Sequence, residues 1–129
     1  MVEIVFSMEL RGSAAPVQGR ENVFHAQTSG TGPGGQSVSF ESEAVLGDEG
    51  FTESGAINYA GRGGLRFETV GTGQMRPSAE SSLTHGSFIW NIVSGDGKFE
   101  GATGLVTSNF TLSEQGQVVD NHYVRAFTP

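Results

Sequence analysis

No cysteine occurs in the 129 residues, which excludes disulfide staples, thiolate nucleophiles and cysteine-ligated metal centres. Positive charge is scarce as well. Seven Lys and Arg stand against 14 Asp and Glu, a net charge of −7. An acidic surface repels a phosphate backbone, and the basic residues are dispersed, so no nucleic-acid partner is expected. Long apolar runs are missing too. Met1 leads directly into Val2-Glu3-Ile4-Val5-Phe6, with neither a basic leader nor an extended hydrophobic stretch. The expectation is a chain without signal peptide, membrane span or membrane partner, located in the cytoplasm. Helical periodicity is also absent: no window sustains apolar residues at i, i+3, i+4 and i+7 with caps.

What the chain does have is glycine. Its 20 glycines are about twice the usual share and lie between short apolar runs with no collagen-like period, the pattern of many strands joined by turns. Val2 to Leu10 alternates cleanly, with Val2, Ile4, Phe6, Met8 and Leu10 on one face. Gly12 to Gly19, with Pro16, reads as a loop, and Ser29 to Gln36 as a flexible one. Asn22 to Thr28, Ser37 to Leu46, Phe51 to Ala60, Leu65 to Val70, Leu105 to Leu112 and Val118 to Phe127 read as further strands. Gln74 to Ser82 reads as a long connection or an irregular edge. Leu83 to Val93 is the most apolar strand, with Phe88, Trp90 and Ile92 on one face and Ile89 and Val93 on the other. Apolar residues on both faces imply a second layer outside, either a subunit interface or a covering segment. About eight strands with hairpin links predict one all-β domain over residues 1–129. Closure into an antiparallel barrel best removes exposed edges; a sandwich is the alternative.

Gly95-Asp96-Gly97-Lys98-Phe99-Glu100-Gly101-Ala102-Thr103-Gly104 sits between two of these strands. A dinucleotide-binding loop is ruled out here, because the spacing is G-x-G-x-x-x-G and a β-branched, alternating stretch follows instead of a helix. The segment reads as a β-corner. Together with Ser94 before it and Val106-Thr107-Ser108 after it, it resembles the allene oxide cyclase barrel group, which includes plant allene oxide cyclases and dirigent proteins. The resemblance is specific over about Thr84 to Thr107 and architectural elsewhere. It implies an eight-stranded, calycin-like barrel, frequently a homo-oligomer (dimer or trimer), with an apolar lumen that holds a small hydrophobic molecule and steers its cyclisation or isomerisation without a cofactor. The catalytic cysteine of the plant cyclases has no counterpart here, and their proline–glutamate–asparagine set has no equivalent.

Polar residues on the apolar parity of a strand are the candidates for chemistry. Phe51, Glu53, Gly55, Ile57 and Tyr59 share one parity, so Glu53 is expected in the lumen. In the last strand Val119, Tyr123 and Phe127 define the expected inward set and bring Asn121 and Arg125 with them. Glu53, Tyr123 and Arg125 are therefore the candidate catalytic residues, and Tyr59, Trp90, Asn121 and Phe88 the candidate ligand contacts. Glu53 with a raised pKa would serve as general acid or base. The alternatives are a core ion pair between Glu53 and Arg125, and core packing for Trp90 and Phe88. His25, His85 and His122 fall on separate strands without metal-ligand spacing, so no metal is expected. A Ser-His-Asp set from His122 and Asp120 lacks the G-x-S-x-G elbow. A non-catalytic carrier of an apolar ligand and an oligomeric barrel with a packed lumen complete the functional alternatives.

Overall fold

The computed structural model describes residues 1–80 and 82–129. Nine strands follow in order: β1 (Val2–Pro16), β2 (Val23–Thr31), β3 (Ser37–Gly47), β4 (Gly50–Tyr59), β5 (Gly63–Thr69), β6 (Gln74–Pro77), β7 (Leu83–Gly95), β8 (Thr103–Ser113) and β9 (Gln117–Thr128). Their hydrogen-bonded order is β5-β4-β3-β2-β1-β9-β8-β7-β6, and a β5–β7 pairing closes the sheet on itself. The result is an eight-stranded antiparallel barrel with β6 as an extra strand. β5 and β6 lie end to end along β7, β6 on Thr84–Ser87 and β5 on Trp90–Gly95. Phe51 and Gly73 exchange backbone hydrogen bonds of 3.0 and 2.7 Å, so the segment before β6 completes the wall beside β4.

Two expected loops shrink. β1 runs on to Pro16, pairing with β9 along Val2–Ser13 and with β2 along Arg11–Pro16, because a staggered barrel strand changes partner along its length. Gly12 allows this; a side chain there would run into the Gln27 carbonyl. The Ser29–Gln36 stretch narrows to a turn held by Gly32 N–H to the Gln36 carbonyl at 2.8 Å. Within the expected connection Gln74–Ser82, residues 74–77 form β6, while Ser81 lies outside the described residues.

The glycine-rich corner closes one end of the barrel. Gly97–Phe99 forms a 3-10 turn, fastened to the start of β5 by Lys98 N–H to the Arg62 carbonyl (2.7 Å) and Gly64 N–H to the Asp96 carboxylate (2.8 Å). Gly97 has φ +60° and packs against the Arg62 backbone, where a side chain has no room. The turn drives Phe99 inward onto Tyr59, ring centroids 5.1 Å apart, and Tyr59 in turn meets Phe6 edge-on at 5.4 Å. Above this plug, Trp90 stacks on Phe67 (3.8 Å) and packs with Phe88 (4.1 Å) and Phe40 (5.2 Å). The core is thus a stack of aromatic layers that fills one half of the barrel.

Ile89 and Val93 point outward and are half exposed, as are Leu105, Tyr123 and Val5 on the neighbouring strands. Among the described residues no segment of this chain covers them. No helix among the described residues is long and apolar enough to cross a membrane.

Candidate functional site

The other half of the barrel is hollow. A cavity of about 150 Å³ opens at the end bounded by the β1–β2, β3–β4 and β8–β9 turns. Its walls are apolar, with Phe24, Phe51, Phe88, Phe110 and Met75 among them. Small residues make the space: Ala14, Ala26 and Ala44 face it. Gly86 contributes differently, since the Phe110 ring occupies the place its side chain would take.

Two carboxyl groups enter this apolar space. Glu53 of β4 and Asp120 of β9 both line the cavity and are both buried. From β4, β9 is four strands away in either direction around the eight-stranded wall, so the two acids come from opposite sides. Each is held by a serine on the adjacent strand: Ser42 donates to Glu53 Oε2 and Ser108 donates to Asp120 Oδ1. The registers correspond. Ser42 pairs with Gly55 and Ala44 with Glu53, just as Ser108 pairs with His122 and Phe110 with Asp120. In both hairpins the serine thus sits diagonally from its acid on the inner face.

Burial penalises charge on these acids. It pushes the Glu53 carboxyl up to about 7; the Ser42 hydroxyl opposes the rise and the charge of Asp120 adds to it. Burial lifts Asp120 to about 6 against the hydrogen bond from Ser108. Asp120 therefore ionises first, and near neutrality Glu53 is still partly protonated. His122 lies two residues further along β9, fully buried, with neither ring nitrogen hydrogen-bonded among the described residues. Burial pulls its pKa down to about 4, so the imidazole is neutral. Its Nδ1 is 4.0 Å from Asp120 Oδ2, beyond hydrogen-bond range. Because the Ser108 hydroxyl is committed to Asp120, these residues do not make a nucleophilic triad. Thr28 completes the polar set. It lines the cavity, is 4 % exposed, and its hydroxyl has no partner among the described residues.

Two of the seven expected site residues line the cavity. Glu53 faces the lumen, and Phe88 lines the cavity. Tyr59 and Trp90 are buried in the plug and the aromatic layer instead, Tyr59 with its phenol raised by burial and its oxygen unpartnered. Tyr123, Arg125 and Asn121 point the other way and belong to the outer surface. Tyr123 is 48 % exposed. Arg125 bonds Glu3 at 3.0 Å and lies over the Phe127 ring at 5.4 Å. No Glu53–Arg125 ion pair forms. The reason is a parity inversion in β9, where Val118, Asp120, His122, Val124 and Ala126 face inward. Two of those five inward residues are polar, while the outward set carries the bulky Tyr123 and Phe127, so counting apolar residues selects the wrong face. The signal that finds Asp120 is the repeated serine-then-acid arrangement, Ser42 with Glu53 and Ser108 with Asp120, in two hairpins of similar span.

The remaining histidines are remote from the cavity: His25 is exposed and bonded to Glu41 at 2.8 Å, and His85 is exposed on β7. Comparison of this chain with protein-family models, with curated proteins and with solved structures finds no match in any of the three.

Proposed function

We propose that this barrel binds a small, largely apolar molecule in its open half, with Glu53 and Asp120 as the polar anchors. The observation that carries the reading is the cavity itself. An apolar space of about 150 Å³ with two buried carboxyls is costly to maintain in a core that elsewhere packs ring on ring. Cavities of roughly this size, when lined by apolar side chains, accept a benzene-sized ligand. The packed-lumen alternative suits the plugged half alone.

A second reading, cofactor-free isomerisation or cyclisation, is favoured by the unequal acids. With Asp120 ionised and Glu53 still partly protonated near pH 7, one group accepts a proton while the other donates. For a substrate with a carbonyl, Asp120 takes the proton from the adjacent carbon as Glu53 protonates the oxygen, giving the enol. Return of a proton from Asp120 to the far carbon of a conjugated enol, with Glu53 recovering its own, completes a double-bond shift with no net loss of protons. The resemblance of the glycine-rich corner to the allene oxide cyclase barrel group agrees with such chemistry, and the closed eight-stranded barrel is the architecture that resemblance implies.

The test is a thermal-shift survey with small apolar compounds, set beside native mass spectrometry of the protein from its own host. Stabilisation of the parent that disappears in Ala44→Leu, which fills the cavity, is expected. A survey that leaves the parent unmoved, with no co-purifying molecule, would overturn the proposal.

A further inference from the structure

We infer that the molecule held in the lumen is a hydrophobic amine, bound as its ammonium ion between Glu53 and Asp120; the inference rests on the ligand-binding reading above. Four observations converge on a cation. The cavity is lined by two carboxyls and by no basic side chain. Of the titratable groups that face inward, Glu53 and Tyr59 come from β4 and Asp120 and His122 from β9, and none comes from the other strands. Arg11, Arg66, Arg76 and Arg125 are all on the outside. Among the described residues no basic group therefore neutralises the pair when both acids are charged.

Donor and acceptor counts agree. Among the described residues, Ser42 and Ser108 satisfy one oxygen of each carboxyl, leaving Glu53 Oε1 and Asp120 Oδ2 without a hydrogen bond. Thr28 Oγ1, on the same cavity wall, is unpartnered as well but sealed among its neighbours. The acceptors left for a ligand are therefore the two carboxyl oxygens, on two strands. A primary ammonium has three N–H donors and no acceptor, so it can serve both, whereas an alcohol offers one donor and a carboxylate none. The rings of Phe24, Phe51, Phe88 and Phe110 around the cavity suit an apolar body and present faces that attract a cation.

The entrance is biased the same way. The turns that rim the mouth carry Glu21, Asp48, Glu49 and Glu114 against Arg20 alone, and Arg20 is already paired with Glu43. Such a rim raises the local concentration of cations and repels anions. The plugged end has no such excess: its turns hold Arg62, Asp96, Lys98 and Glu100.

Size fixes the probes. Benzylamine, benzyl alcohol and benzoate share one ring that suits the cavity and differ only in charge. Calorimetric or ligand-detected NMR titration of the intact chain near about pH 7.5, below the usual range of an alkyl ammonium, is the experiment. Benzylamine is expected to bind at least about tenfold more tightly than benzyl alcohol, the size of one charge-assisted hydrogen bond, and benzoate more weakly than either. Glu53→Gln and Asp120→Asn are expected to lose that preference while still binding benzyl alcohol. Equal binding of amine and alcohol by the parent, or a preference for benzoate, would overturn the amine assignment and leave the ligand lumen standing. Absence of binding by all three would overturn both. The comparison among probes on the parent protein decides the matter even where a variant fails to fold.

Discussion

Glu53 and Asp120 enter one apolar cavity from opposite walls of the barrel, each held by a serine placed at the same diagonal of its own hairpin. Such an arrangement is expensive for stability and informative about use. A carboxyl pair that lacked a ligand or a proton to share would be replaced by aliphatic side chains at a gain.

The cost is measurable through pH. The Glu53 carboxyl rises from 4.5 in the ordinary state to about 7 in the fold, so between those values the folded chain holds more protons than the unfolded one. Stability from this group is complete below 4.5 and lost as pH rises through about 7. Glu53→Gln should therefore be more stable than the parent near about pH 8, by on the order of 3 kcal/mol. The two should converge near about pH 4 in denaturant titrations.

His122 acts in the opposite sense. Its pKa falls from 6.5 to about 4 on folding, so its contribution is present above 6.5 and is lost as pH falls through about 4. Replacing it with Leu removes both unpartnered ring nitrogens. The variant should gain about 1–3 kcal/mol at pH 5, measured as an upward shift of the urea midpoint.

The plug sets a different expectation. Phe99 is 2 % exposed and closes the barrel end against Tyr59. Phe99→Ala should cost about 3–5 kcal/mol while leaving probe binding at the other end within a few-fold of the parent. A variant that loses binding but not stability would contradict the division of the lumen into a packed and an open half.

Arg125 provides a negative control. Its ion pair with Glu3 is on the surface, with side chains 62 % and 46 % exposed. Arg125→Met should change stability by less than about 1 kcal/mol and leave binding of benzylamine unaltered, as read by the same titrations.

The contrast between β4 and β9 marks how far the sequence is legible. In β4 the inward residues Phe51, Ile57 and Tyr59 outweigh the single acid, so parity places Glu53 correctly. In β9 the inward acid and histidine dilute the pattern, and Tyr123 and Phe127 lie on the outer face, where Arg125 covers part of Phe127. The alternation that reveals a strand thus misleads at a strand whose inner face carries polar groups. The eight barrel strands were readable from turn spacing and their closure from the need to remove exposed edges, whereas the tenancy of β6 beside β7 was not. Its four residues, Gln74–Pro77, are too short to show a period and include a proline. Small inward residues do not by themselves mark the cavity, since Ser42 and Ser108 hold carboxyls and Gly86 admits Phe110.

Carboxyl-detected NMR titration of Glu53 and Asp120 in the parent chain tests the shared, buried pair most directly. The account predicts Asp120 titrating near 6 and Glu53 near 7, with Glu53 lowered in Asp120→Asn because a neighbouring charge is removed. Two independent transitions near the ordinary 4.5 and 3.8, unmoved by the substitution, would contradict it.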